Sequence, residues 1–547
     1  LKLREKIKGR ISNWARFQTI VRVLTKHGFA GLIHEMGFTN TVPLNPLESQ
    51  NRDNIPRRLR LGFEELGPTF IKLGQILSTR PDLLPPSYIE EFSRLTDQIP
   101  SFPFNEVERI LEDEFGRSPY EIFSEIESTP IAAASIAQVH RAKMRDGEIT
   151  DVVIKVQRPN IAESIQNDIQ ILFFLAKSLE RIREKFRLLN LTGIVREFQR
   201  SIYEELDFSI ESKNIEDISK NHAKQDRVIL PKVVWAYSTK RILTLSEIKG
   251  TTLSQLKSFP PNINRKALAE AIAQFFLESI FFHGLFHCDA HPGNLIIQLE
   301  DEGRIGLVDF GMVGRIGPDL RDKMGRIFLA LVTQDFSNLA LLYTEVATFG
   351  KRFSLREFKA DIEDLLEPNL SKPISQVDVG SMMLASIQIA HKYHVQLPRD
   401  LIMFYRAVVT LEHVGRTLDP DFTFQNFGSK FAKRMIQNRF NAQNISRDLF
   451  RFFEGVRSFG TEIPSQLKSI LYKLDSESFF PQLDQLSEGL RSFKRSNQIL
   501  SMSVIFLAFL LSATLLSSFQ PQSLLVWPLW ILSGFNFMIL IWLLFKK

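Results

Sequence analysis

Asp289 and Asn294 stand five positions apart with Pro292-Gly293 between them, and Asp309-Phe310-Gly311 follows fifteen residues after Asn294. No other feature of the chain narrows its possible folds as far. The Pro-Gly step keeps Phe286-His287-Cys288-Asp289-Ala290-His291-Pro292-Gly293-Asn294 out of a helix, so the segment reads as a loop. Strands over Leu295–Gln298 and Ile305–Val308, joined by a Glu300–Gly303 turn, then return Asp309 beside that loop. Two carboxylates and an amide at one spot suit Mg²⁺ bridging nucleotide phosphates, with Asn294 and Asp309 as its ligands. Asp289 suits a general base or a group that positions water.

A lysine belongs opposite them. Lys155 lies in Val152-Val153-Ile154-Lys155-Val156, a strand apolar on both sides. Buried there it needs an anion, whereas on an exposed edge strand it needs none. A rival reading takes His283, His287, Cys288 and His291 as a zinc site. Their irregular spacing, the Pro-Gly break and the lack of a second cluster count against it.

The surrounding pattern is a two-lobed α+β plan. Residues 31 to about 125 are helix-patterned and broken by prolines at Pro43, Pro46, Pro56, Pro68, Pro81, Pro85, Pro86, Pro100 and Pro103. Strands are predicted over Thr129–Ala133, Ile136–Met144, Thr150–Gln157, Val228–Trp235 and Arg241–Glu247, with helices over about 160–186 and 191–218. From Gly250 to about 440 the chain is mostly helical. A small β-rich lobe at 126–250 thus precedes a larger helical lobe at 251–440.

Lys155, Asp289-x4-Asn294 and Asp309-Phe-Gly follow the order and spacing of the protein-kinase signatures. Three further features resemble the UbiB family of atypical kinases. Ala132-Ala133-Ala134-Ser135 occupies the turn where typical kinases carry a glycine loop, and Lys72-Leu73-Gly74-Gln75 matches the family's Lys-x-Gly-Gln motif. Glu205-Leu206-Asp207-Phe208, with Glu211 and Asn214, resembles its helix-C signature. The resemblance spans roughly residues 60–420 and implies a protein-kinase-like fold that binds ATP and Mg²⁺. It further implies ATPase activity more than protein phosphorylation, in support of prenylquinone (ubiquinone-type) biosynthesis. On the same ground, Ala132 to Ser135, Lys155 and Glu247 would bind the nucleotide, and Lys155 would pair with a helix-C acid, Glu211 or Glu205. Lys72 and Gln75 would enter the cleft as regulatory residues, although with Phe70, Leu73 and Leu77 packed inward their helical spacing places them on a solvent face.

Departures from the kinase pattern qualify that reading. Cys288 stands where many kinases have arginine, and Ala290 where the family commonly has proline. Only Met312–Gly317 separates Asp309-Phe310-Gly311 from Pro318, and no Ala-Pro-Glu follows. So short an activation segment leaves little platform for a peptide, which disfavours a conventional protein kinase. A nucleotide-binding scaffold for a lipid-synthesis complex is the other alternative. A hydroxylase has no support, because neither a dinucleotide fingerprint nor an iron triad is evident.

The two ends carry the membrane signals. Ser496–Phe545 contains no charged residue, and Ile499–Ser518 and Leu524–Phe545 are each long enough to span a bilayer as a helix. Gln520-Pro521-Gln522-Ser523 makes the turn of this transmembrane hairpin, while Arg491, Lys494, Arg495, Lys546 and Lys547 flank it and place both ends in the cytosol. A helical linker is expected over 441–495. Residues 1–30 hold eight Lys/Arg and one acid, a net of +7 against +6 for the whole chain, so the body has no basic stripe for nucleic acid. Leu3, Ile7, Ile11, Trp14, Phe17, Val21 and Leu24 form one apolar stripe of that basic segment. It fits a helix lying on an anionic membrane and equally one packed on the body. The single cysteine excludes an internal disulfide and fits a reducing compartment. Membrane lipid and quinone-biosynthesis proteins or prenylated precursors are the expected partners.

Overall fold

The computed structural model describes residues 13–36, 55–78, 84–95, 100–182, 190–223, 225–300, 303–347, 354–366, 379–393 and 397–439. It also describes 505–514 and 526–545 near the C-terminus, and a few single positions besides. The chain divides into two compact units, Leu1–Gln437 and Asn438–Lys547.

The first unit opens with helices α1 (Trp14–Leu24), α2 (Ile55–Leu66), α3 (Pro68–Ser78), α4 (Pro86–Phe92) and α5 (Phe104–Phe115). The basic segment settles between its two readings here: Phe17, Ile20 and Val21 are buried in the protein's own core. Arg16 adds a bidentate pair at 2.7 and 2.8 Å to Asp168, a fully buried carboxylate that would be costly without it. Over Trp14–Leu24 the apolar stripe therefore packs on the body and not on lipid; residues 1–12 lie outside the described residues.

A five-stranded antiparallel sheet follows, built from β1 (Phe123–Ile126), β2 (Ala132–Ala133), β3 (Ala137–Met144), β4 (Asp151–Gln157) and β6 (Ile242–Ser246), ordered β1-β3-β4-β6 with β2 beside β3. In β4 the strand alternation buries Val152, Ile154 and Val156 against Ile110, Leu111 and Phe123. Each fully buried aliphatic chain contributes about 1.5–3 kcal/mol. The opposite face turns Lys155 toward α8 (Phe208–Asn221), which follows α6 (Ile161–Ile182) and α7 (Leu191–Glu205). The first strand lies within the stretch read as helical, and the strand expected over Val228–Trp235 is only β5 (Val228–Ile229) followed by a 3-10 turn at Trp235–Tyr237. Short β-branched runs beside proline have too little periodicity to separate these cases.

The larger lobe packs α9 (Arg265–Glu278), α10 (Pro318–Val332), α11 (Phe336–Val346), α12 (Leu355–Leu366), α13 (Val379–Lys392), α14 (Arg399–Leu418) and α15 (Phe424–Arg439) around Phe, Leu and Tyr side chains. Two small sheets sit at the junction. One has the order β5-β10-β9-β7, from β7 (Thr251–Thr252), β9 (Leu295–Gln298) and β10 (Arg304–Leu307); the other pairs β8 (Leu285–His287) with β11 (Val313–Arg315).

In the second unit a helix covers Val526–Phe545, and residues 505–514 are helical. The 505–514 segment touches that helix through Phe506 against Phe537, and Trp530 Nε1 donates to Ser517 Oγ at 3.1 Å. The transmembrane hairpin expected over 499–545 lies partly outside the described residues. Among the described residues no helix is long and apolar enough to cross a membrane. The Gln520–Ser523 turn and the 441–495 linker lie outside the described residues.

Candidate active site

Hairpin register assembles the first half of the site. Leu295 pairs with Leu307, and just beyond them the Val308 amide donates to the Asn294 carbonyl at 3.0 Å. Asp309 is thereby delivered beside the loop that carries Asp289. The Asn294 side-chain amide donates to the Asp289 backbone carbonyl at 2.9 Å, which fixes the loop. Asp309 has φ +63°, a left-handed backbone that a non-glycine residue adopts at a cost and that concentrates at functional sites. Its carboxylate accepts from the Gly311 amide at 3.3 Å.

Lys155 supplies the other half. Its Nζ lies 2.9 Å from one oxygen of Glu211 and 3.2 Å from the other, and 3.4 Å from Asp309 Oδ1. The Phe208 ring lies 5.3 Å away. The Phe310 amide also donates to Glu211, at 3.1 Å, so this one carboxylate ties β4, α8 and the Asp309 segment together. Burial opposes the charge on Lys155, but Asp309 and Glu211 outweigh it and hold its pKa above the ordinary value. In return Lys155 holds the Asp309 carboxyl well below its usual range, with a further contribution from Lys72. Cation and carboxylate both stay charged across the physiological range.

Of the two acids considered as partner of Lys155, Glu211 takes the place. Glu205 pairs with Lys72 at 2.7 Å. Lys72 and Gln75 are half-buried rather than on a solvent face, and Gln75 donates to the Leu95 carbonyl at 3.3 Å. Gly74 makes that packing possible, because a Cβ there would sit 2.2 Å from Leu95 and 3.0 Å from Phe63. The Ala132–Ser135 turn is pinned by Arg158, whose Nε donates to the Ala134 carbonyl at 2.9 Å, and Ser135 is buried. The Glu247 carboxylate is turned to Arg141 at 2.7 Å and does not join Lys155 and Asp309.

The four residues of the zinc reading are engaged separately. His283 packs on His222, and the His287 ring lies 5.1 Å from Phe310. Cys288 is buried, which pushes its thiol pKa up, and His291 Nδ1 accepts from the Gly293 amide. Among the described residues no group of three or more His, Cys, Asp or Glu could hold a metal. The Asn294–Asp309 pair still fits Mg²⁺, which takes one or two protein ligands and completes its shell with phosphate and water. Sequence reasoning missed two contacts. One is Arg158 on the alanine turn; the other is Arg406, which donates to Asp289 Oδ1 at 3.2 Å from 117 positions away. The signal for Arg406 was a charged residue between Tyr405 and Ala407, both core positions of α14.

A β-rich lobe presenting a lysine–glutamate pair to an Asp-Phe-Gly turn, above a loop with Asp289 and Asn294, defines a kinase-like protein. A family model described as the ABC1 atypical kinase-like domain matches residues 94–342, and one for the UbiB helical domain matches 362–423. The probable protein kinase UbiB of Pseudomonas fluorescens (strain SBW25) is 31% identical over 395 residues, 72% of this chain and 74% of that protein. Its namesake in Marinobacter nauticus is 28% identical over 486 residues, 87% and 88% of the two chains. Among solved structures, the complex of Rv3197 with erythromycin from Mycobacterium tuberculosis is similar at 23% identity, covering 67% of this chain and 93% of that one, with a TM-score of 0.46. The chain belongs to the UbiB family of ABC1 atypical kinase-like proteins.

Proposed function

We propose that this protein is a membrane-attached ATPase or small-molecule-directed phosphotransferase that works with Mg-ATP and supports ubiquinone-type prenylquinone synthesis. The observation that carries the reading is Lys155, held between Glu211 and Asp309 with its charge secured. Lys155 binds phosphate oxygens, Asn294 and Asp309 hold Mg²⁺, and Asp289 orients and deprotonates the attacking hydroxyl or water. Bound there, Mg²⁺ supplies neutralisation of the phosphate charge. Ala132 to Ser135 cover the phosphates. Lys72 and Gln75 restrain the cleft against bulky acceptors. An acceptor smaller than a protein is favoured because the segment after Gly311 folds straight back as β11 against β8, with α10 beginning at Pro318.

Attachment to a lipid bilayer rests on the second unit. Trp527, Ile531 and Met538 are 77%, 69% and 67% exposed, and with Phe535 they make one apolar stripe on an uncharged helix. Purified protein should hydrolyse ATP in the presence of Mg²⁺. Asp309→Asn should abolish turnover and Mg²⁺-dependent nucleotide binding, and Asp289→Asn should keep binding while lowering turnover. Normal turnover in Asp309→Asn would sink the assignment.

A further inference from the structure

α14 belongs to the helical segment at 362–423, far from every kinase signature in sequence. Its position is nonetheless fixed against the site. Leu401, Phe404, Tyr405, Val408 and Leu411 on it are buried, and it packs on α9 and on β11, the partner strand of β8. β8 runs directly into Cys288-Asp289. From this rigid element Arg406 Nη2 reaches Asp289 Oδ1 at 3.2 Å, with both side chains about one-third exposed at the cleft. Two turns earlier on the same helix, Arg399 holds Glu197 at 3.3 Å and Ser201 at 3.3 Å, which ties α14 to the helix carrying Glu205. Among the described residues, Asp289 Oδ1 takes the Arg406 contact and Oδ2 is left to the cleft.

We infer that Arg406 is a positioning residue for phosphoryl transfer: the helical segment supplies the cation that orients Asp289. This rests on the reading of the cleft as an Mg-ATP site. A carboxylate on a backbone loop rotates about χ2, and only one of its rotations presents an oxygen to the acceptor. With Oδ1 committed to a guanidinium on a buried helix, Oδ2 is the oxygen that takes the proton. In the step it serves, the acceptor oxygen bonds to the γ-phosphorus and its proton passes to Asp289. The bond from phosphorus to the bridging oxygen breaks, and ADP leaves with that electron pair. The position after His287, which in many kinases bears arginine, here holds the buried, uncharged Cys288, so Arg406 restores a cation beside the aspartate from another part of the chain. The helical segment is then part of the site itself.

The test is a double-mutant cycle on the full-length protein, reading kcat and KM for ATP hydrolysis and separately the affinity for Mg-ADP. Misplacing a reacting group costs on the order of 10²-fold, so Arg406→Gln should lower kcat about 10- to 100-fold, with nucleotide affinity and KM within about twofold of the parent. Arg406→Lys keeps a donor and should recover part of that loss. In an Asp289→Asn background, Arg406→Gln should change kcat by less than about twofold, since coupled groups are not additive. Unchanged kcat in Arg406→Gln, or an equal loss with and without Asp289, overturns the inference. Should Arg406→Gln unfold, Arg406→Met takes its place, and a kcat equal to the parent's in that folded variant does the same. Failure of the parent to bind Mg-ADP has a different signature: it removes the nucleotide reading first, and this inference with it.

Discussion

Replacing Lys155 tests the electrostatics of the cleft without any nucleotide. Lys155→Met keeps most of the side-chain volume and removes the charge. Glu211, only 5% exposed, and Asp309 then face each other with no cation between them. Burial already pushes the Glu211 pKa up, and Lys155 is the chief force opposing that rise. Without it Glu211 takes up a proton on folding. Protonating a carboxyl of ordinary pKa 4.5 at pH 7 costs about 3 kcal/mol, which caps the destabilisation. A carboxyl whose folded pKa is raised contributes stability that is full below the unfolded pKa and lost as pH climbs toward the folded one. The penalty in Lys155→Met should therefore shrink on acidification, to about 1 kcal/mol at pH 5.5. Urea unfolding of the parent, Lys155→Met and Lys155→Met/Glu211→Gln at both pH values measures this directly. The double variant should recover most of the loss at pH 7. Equal stability of Lys155→Met and parent at pH 7, or no recovery on neutralising Glu211, would refute the argument.

Truncation after Arg495 should release most of the protein from membranes into the supernatant; pelleting that persists unchanged at high salt would place the anchor elsewhere. Lys72→Ala removes the 2.7 Å pair with Glu205 and should unmask autophosphorylation with labelled ATP. Labelling equal to the parent's would mean that this motif does not restrain the cleft. His222 is buried against Phe275 and bonded to Ser279 at 2.7 Å, and burial pushes its pKa down to about 4. Its neutral form is the folded one, so it contributes stability above pH 6.5 that falls away as pH drops toward 4, by at most about 3 kcal/mol. His222→Gln should flatten the urea midpoint over that window, and an unchanged slope would count against the burial argument.

The chemistry-bearing residues were legible in the sequence because their spacing is local. A Pro-Gly break and a hairpin suffice to set Asp289, Asn294 and Asp309 side by side, and hydrogen-bond register carries that information over a few residues. Alternation in β4 likewise isolated Lys155 from Val152, Ile154 and Val156. Which acid Lys155 takes was not legible: Glu205 and Glu211 flank the break between α7 and α8, and only the packing of α8 under β4 selects Glu211 while α3 brings Lys72 to Glu205. The Arg406–Asp289 contact spans 117 residues, and no local period encodes a partner that distant. The N-terminal stripe shows the same limit, since apolar periodicity states that a face will leave water and not what covers it. The buried Asp168, waiting for Arg16, made that choice in the folded protein.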